Sequence, residues 1–85
     1  MGLGAISLLR CSGPQTNKII ETFFSKKFSP NEANYLKFKK GDQVLDDVIA
    51  IFYKSPKSYT GEDMLEIMCH GGSVIYQMLI REILT

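Results

Sequence analysis

The chain has 85 residues, 45% of them hydrophobic and 22% charged, and its ten basic and nine acidic side chains leave a formal net charge of +1. That length holds one domain around a single core, the composition excludes a disordered chain, and the near-neutral charge gives no whole-domain field to hold a polyanion such as DNA or RNA. The longest apolar runs fall far short of the ~20 residues that span a bilayer, and Met1-Gly2-Leu3-Gly4 is not a charged signal region, so a soluble cytoplasmic protein is expected.

Ala5 to Arg10 is a short apolar run between turn signals and predicts a buried strand with Arg10 at its end. Ser12-Gly13-Pro14 predicts a helix start, with Ser12 or Gly13 as cap and Pro14 at the first helical position, where its missing N–H costs nothing. Ile19, Ile20, Phe23 and Phe24 then recur at spacings of three and four, an apolar face that must cover a sheet, and Lys26 and Lys27 suit the negative end of the helix dipole. Pro30 closes that region.

Asn34 to Phe38 alternates, with Leu36 and Phe38 on one side and Tyr35 and Lys37 on the other, which predicts a half-buried strand. Turn chemistry in Lys39-Lys40-Gly41-Asp42 joins it, as a hairpin, to Val48–Tyr53, whose two apolar faces predict a central strand covered on both sides. After a polar loop, 54–60, Leu65, Ile67 and Cys69 alternate with Glu66, Met68 and His70. A strand there sends the first set to the core and Glu66 with His70 to the other face; a helix is the rival reading. Gly71-Gly72 breaks the segment, and Ser73 is placed to cap a helix with Val74, Ile75, Met78, Leu79 and Ile83 as its apolar stripe. The order strand, helix, strand, strand, strand, helix predicts an α+β fold, a single small domain with helices packed on a mixed or antiparallel sheet.

The run from Ser58 to Gly72 concentrates turn residues, three carboxylates, the single histidine and a glycine pair. Zinc binding by Cys69 and His70 fails on spacing, since neighbours on a strand point to opposite faces and no second Cys or His pair completes the ligands. The same geometry excludes Cys69 as a nucleophile with His70 as its base. Cys11 and Cys69 end separate apolar segments and read as small buried hydrophobes rather than a disulfide. No GxGxxG or GxxxxGK[ST] pattern supports a nucleotide phosphate site. Glu62 and Asp63 divide between a site and a capping box with Thr60. Glu66 differs: a strand would set it among apolar neighbours, where an unpaired carboxylate costs several kcal/mol, roughly, so it requires a partner. Arg10, ending another strand, is the candidate, and the two together suit a planar heterocycle with an acidic tail.

Gly4-Ala5-Ile6-Ser7-Leu8-Leu9-Arg10 with Ser12-Gly13, then Val44-Leu45-Asp46, then Ser58-Tyr59-Thr60-Gly61-Glu62-Asp63 through Glu66 to His70-Gly71-Gly72, resemble in order and spacing the N-terminal domain of the MnmE, or TrmE, family of tRNA modification GTPases. The resemblance covers nearly the whole chain, 1–85. It implies a domain that binds a 5-formyl- or 5,10-methylene-tetrahydrofolate as one-carbon donor and forms a homodimer. It further implies a larger parent with a helical domain and a GTP-hydrolysing G domain using magnesium and potassium, which works with an MnmG-type flavoprotein on the wobble uridine of tRNA. The family's folate-contacting arginine and glutamate fall on Arg10 and Glu66. The chain departs from the family pattern in two places: the strand and proline-glycine turn ahead of Gly4 are largely missing, and so is the continuation past Thr85 with its basic folate contact. An incomplete copy of the family domain, a piece of something larger, is therefore expected. The alternative functions are a structural dimerisation module with no folate binding, and a small enzyme using Glu66 and His70 as acid and base.

Overall fold

A computed structural model describes residues 6–58, 60–71 and 73–84. Its elements are β1 (Ile6–Ser12), α1 (Thr16–Phe23), β2 (Ala33–Lys40), β3 (Gln43–Tyr53), β4 (Met64–His70) and α2 (Ser73–Leu84). The strands form one sheet in the order β1-β4-β3-β2, antiparallel at every pairing. The α+β class and the element order are those the sequence predicts, and the strand reading of Leu65–Cys69 prevails over the helical one.

Alternation decides which face is buried. Leu65, Ile67 and Cys69 of β4, Val48, Ala50 and Phe52 of β3 and Phe38 of β2 point to one side, where Ile20, Phe23 and Phe24 of α1 and Leu79 of α2 close over them. Phe23 stacks on Phe38 with ring centroids 4.7 Å apart, and Phe24 meets Phe38 and Phe28 edge-on, both at 5.5 Å. Such offset and edge-to-face pairs add about 0.5–1.5 kcal/mol each to the area they bury. Cys11 is half-buried and Cys69 buried, both as free thiols, and burial pushes both thiol pKa values up.

Several expectations change. β1 is an edge strand with none of its residues buried, rather than a buried strand, and it runs two residues past Arg10 to Ser12. Both helices contribute to the same cluster, so β3 is an interior strand covered on one face, not two; Ile49 on its far side is 37% exposed. β3 also begins at Gln43, five residues ahead of Val48, after a register shift between Phe38 and Lys39 that hides its alternation. Helix α1 starts at Thr16 instead of Pro14, with Gln15 as a cap that makes no side-chain bond. The reason is local: Ser12 still belongs to β1, and Gly13, at φ +110°, gives its N–H to the Asp63 carbonyl at 2.9 Å, so the chain turns before the helix begins. The helix ends at Phe23, and Lys26 reaches Asn34 Oδ1 at 2.6 Å rather than the helix terminus.

Met78 and Ile83 are half-buried beside the fully buried Leu79, as the stripe predicts, whereas the side chains of Ser73, Val74 and Ile75 lie outside the described residues, as do Tyr59 and Gly72. Among the described residues no helix is long and apolar enough to cross a membrane.

Candidate functional site

The sheet face turned away from the helices carries the groups singled out above, in rows fixed by register. Arg10 of β1 lies directly opposite Glu66 of β4, which in turn faces Ile51 of β3. One row along, Leu8, Met68, Ile49 and Tyr35 cross all four strands as an apolar band, with Leu8 44% and Tyr35 79% exposed.

Glu66 is the best-held charge on this face. Its side chain is 15% exposed, and Arg10 Nε donates to Oε2 at 2.7 Å from a side chain that is 52% exposed. Tyr53, at the end of β3 and diagonal to Glu66, donates its hydroxyl to Oε1 at 3.0 Å. Desolvation, and then the hydrogen bond to Glu66 and its negative charge, raise the Tyr53 pKa, while the Arg10 charge partly offsets them. The phenol therefore keeps its proton and remains a donor. Each carboxylate oxygen accepts about two hydrogen bonds, so each retains acceptor capacity beyond the bond described.

These side chains line an open depression of about 420 Å³ whose other walls are Asn31, Lys57, Ser58 and Met64. A larger depression, about 550 Å³, lies at the end of α1 over Ile20, Phe24, Phe28 and Phe52. Its charged lining is Glu21, Lys26 and Lys27, of which Lys26 is already bonded to Asn34, and no set of groups bonded to one another like that around Glu66 is seen among the described residues, so the chemistry favours the smaller one.

The remaining polar candidates separate from Glu66. His70 shares its face, but four residues along a strand is roughly 13 Å, and His70 is engaged elsewhere: Nδ1 meets Asp46 Oδ1 at 2.6 Å and its N–H donates to Asp46 Oδ2 at 3.0 Å. Glu66 and His70 are thus not within reach of one another as an acid–base pair. Asp63 does not cap a helix, because a strand follows it. Its carboxylate accepts from Ser55 N–H at 2.9 Å and Asn17 Nδ2 at 2.9 Å and meets Lys54 Nζ at 3.6 Å, while its carbonyl takes Gly13 N–H and Thr16 Oγ. The Ser55 N–H is the main cause of a lowered Asp63 pKa. Glu62 Oε2 would lie 3.1 Å from a Cβ on Gly13, so that glycine lets the two loops approach. Among the described residues no group of three or more His, Cys, Asp or Glu gathers to hold a metal.

Tyr53, Asn31 and Lys57 were not legible as site residues. Tyr53 reads as the last residue of an apolar strand, and only the β3–β4 register sets it beside Glu66.

A family model described as "GTP-binding protein TrmE N-terminus" matches residues 1–85. The chain belongs to that family. It is 44% identical over 86 residues to the tRNA modification GTPase MnmE of Haemophilus ducreyi, and 46% identical over 86 residues to that of Actinobacillus pleuropneumoniae serotype 5b, covering 100% of this chain and 19% of the relative in both cases. The MnmE of Haemophilus influenzae is 45% identical over 84 residues, 98% of this chain and 19% of the relative. The chain thus spans about a fifth of the length of the relatives it matches, and the resemblance stated from Gly4-to-Arg10 and Ser58-to-Gly72 holds.

Proposed function

We propose that this TrmE-type chain binds a one-carbon tetrahydrofolate, 5-formyl or 5,10-methylene, and pairs with a second copy of itself. It acts as part of a cytoplasmic tRNA modification GTPase that meets an MnmG-type flavoprotein and tRNA through the whole protein. The observation that carries this reading is the mostly buried Glu66 carboxylate, held by Arg10 on one oxygen and Tyr53 on the other, at the wall of an open depression.

The residues fit the ligand class. A pterin ring presents an amino group and ring N–H donors side by side, and the remaining lone pairs on Glu66 are a matching acceptor pair. Arg10 neutralises the carboxylate and stays half-exposed at the rim. The folate, when bound, supplies the one-carbon unit; the chain's own residues bind and orient it, and none is assigned a catalytic step. GTP, magnesium and potassium belong to the G domain of the whole protein, since the sequence lacks a phosphate-binding loop.

Isothermal titration of the chain with 5-formyltetrahydrofolate tests the site. Binding that weakens at least about tenfold in Glu66→Ala, the loss of hydrogen bonds to a charged group, is expected; unchanged affinity refutes the assignment. The uncovered apolar row of Leu8, Met68, Ile49 and Tyr35 supports the pairing with a second copy, and also favours a second reading in which association is the chain's whole contribution. A dimer with no folate-dependent heat or stabilisation would establish that reading instead.

A further inference from the structure

The depression at Glu66 holds charged and polar groups that the carboxylate site leaves unused. Its lining includes two cations, Arg10 and Lys57, against a single carboxylate, Glu66. Arg10 is spent on neutralising Glu66 at 2.7 Å. Lys57 makes no hydrogen bond or ion pair with another described residue, whereas the neighbouring Lys54 is held by Asp63 at 3.6 Å. The charge balance of the depression is therefore positive, and the excess sits on Lys57 of the β3–β4 loop.

Hydrogen bonds among its described residues tie that loop. Ser55 N–H is fixed to the Asp63 carboxylate at 2.9 Å, the Ser58 hydroxyl donates to the Glu62 carbonyl, and Gly61 N–H reaches the Ser58 carbonyl at 3.3 Å. Lys57 is thus offered from a tied turn, with less backbone freedom to lose on binding. Asn31 lines the same depression. It adopts φ +65°, a conformation few side chains other than Asn tolerate, and its N–H is anchored to the Phe52 carbonyl at 2.8 Å. Its side-chain amide makes no hydrogen bond with another described residue and supplies donors to the same depression.

We infer that Lys57, with Asn31 in the same depression, forms an anion subsite that takes a carboxylate-bearing arm of the ligand whose N–H-bearing ring is held by Glu66. The inference rests on the folate reading of the Glu66 site and adds what that reading leaves unassigned, the residues that meet the acidic tail. Glu66 selects donors, Lys57 selects negative charge, and a ligand with both ends spans the depression.

The test compares 5-formyltetrahydrofolate, which carries a glutamate, with 6-methyltetrahydropterin, which has the ring but no acidic arm, by titration against the wild-type chain and Lys57→Glu. The lysine substitution is expected to weaken the glutamate-bearing ligand about threefold to tenfold, as for an exposed charge-assisted contact, and to leave the pterin unchanged. Raising salt should weaken the glutamate-bearing ligand in the wild type and have less effect in Lys57→Glu. Equal effects on the two ligands, or no effect on either, overturn the subsite while leaving the Glu66 site standing. Failure of the wild type to bind either ligand overturns the folate reading and the subsite with it. Asn31→Gly, which keeps the backbone conformation and removes the amide, should weaken the glutamate-bearing ligand selectively; a loss shared by both ligands also counts against the subsite.

Discussion

Removing the Tyr53 hydroxyl tests the geometry around Glu66 without any ligand. Tyr53→Phe deletes one hydrogen bond, 3.0 Å long, to a carboxylate that is 15% exposed. A hydrogen bond to a charged group contributes about 1.5–3 kcal/mol. Arg10 already stabilises the same carboxylate, so a value at or below the bottom of that range applies, about 1–1.5 kcal/mol. For a chain of this size that corresponds to roughly 4–12 °C in Tm. A double-mutant cycle of Tyr53→Phe and Glu66→Ala, followed by urea unfolding, isolates the pair; a coupling of about 1 kcal/mol is expected, and one below about 0.3 kcal/mol, the range of independent sites, refutes the reasoning. The pH dependence gives a second reading of the same contact. Because the folded-state pKa of Tyr53 is raised, its contribution is fully present below the ordinary phenol value of 10.0 and is lost as pH rises through the higher folded value. Phenolate absorbance should show this tyrosine titrating late in the wild type and earlier in Glu66→Ala.

Asp63 gives the opposite sign. Its lowered pKa contributes stability that is present above the ordinary carboxylate value of 3.8 and is lost as pH falls through the folded value, so the gap between wild type and Asp63→Asn in thermal unfolding should be open at neutral pH and shrink on acidification below 3.8; a pH-independent gap would contradict the assignment. On the open face, Ile49→Glu places a charge in the middle of the four-strand apolar row. Sedimentation is expected to show a dimer for the wild type and weaker association for Ile49→Glu, with far-UV circular dichroism unchanged; a monomeric wild type, or association undiminished by the substitution, would refute pairing through this row.

The strands and the core were legible because alternation is a local property. Leu65, Ile67 and Cys69 announce their face in five residues of sequence, and the need of Glu66 for a partner on the other face followed from the same alternation. The choice of Arg10 as that partner rested on a strand end that lies two residues further on, at Ser12, yet the register puts the two opposite one another. Where the reading failed, longer-range contacts overruled local preference. Pro14 looks like a helix start until Gly13 is tied to the Asp63 carbonyl, fifty residues later in the chain. Val48 to Tyr53 looks doubly buried because nothing in an apolar run says that both helices will settle on one side. Tyr53 and Lys57 acquire meaning only from the pairing of β3 with β4 and the loop between them.

Glu66 is held by one residue from each strand that flanks it, Arg10 on β1 and Tyr53 on β3. A slip of either neighbour by a single residue would carry its clamp to the opposite face of the sheet. The carboxylate therefore inspects the alignment of three strands at once, and a misaligned sheet is left with a naked charge. Correct assembly and competence to recognise a ligand are in this way one specification, so a molecule captured at Glu66 would certify that the sheet beneath it has been assembled in order.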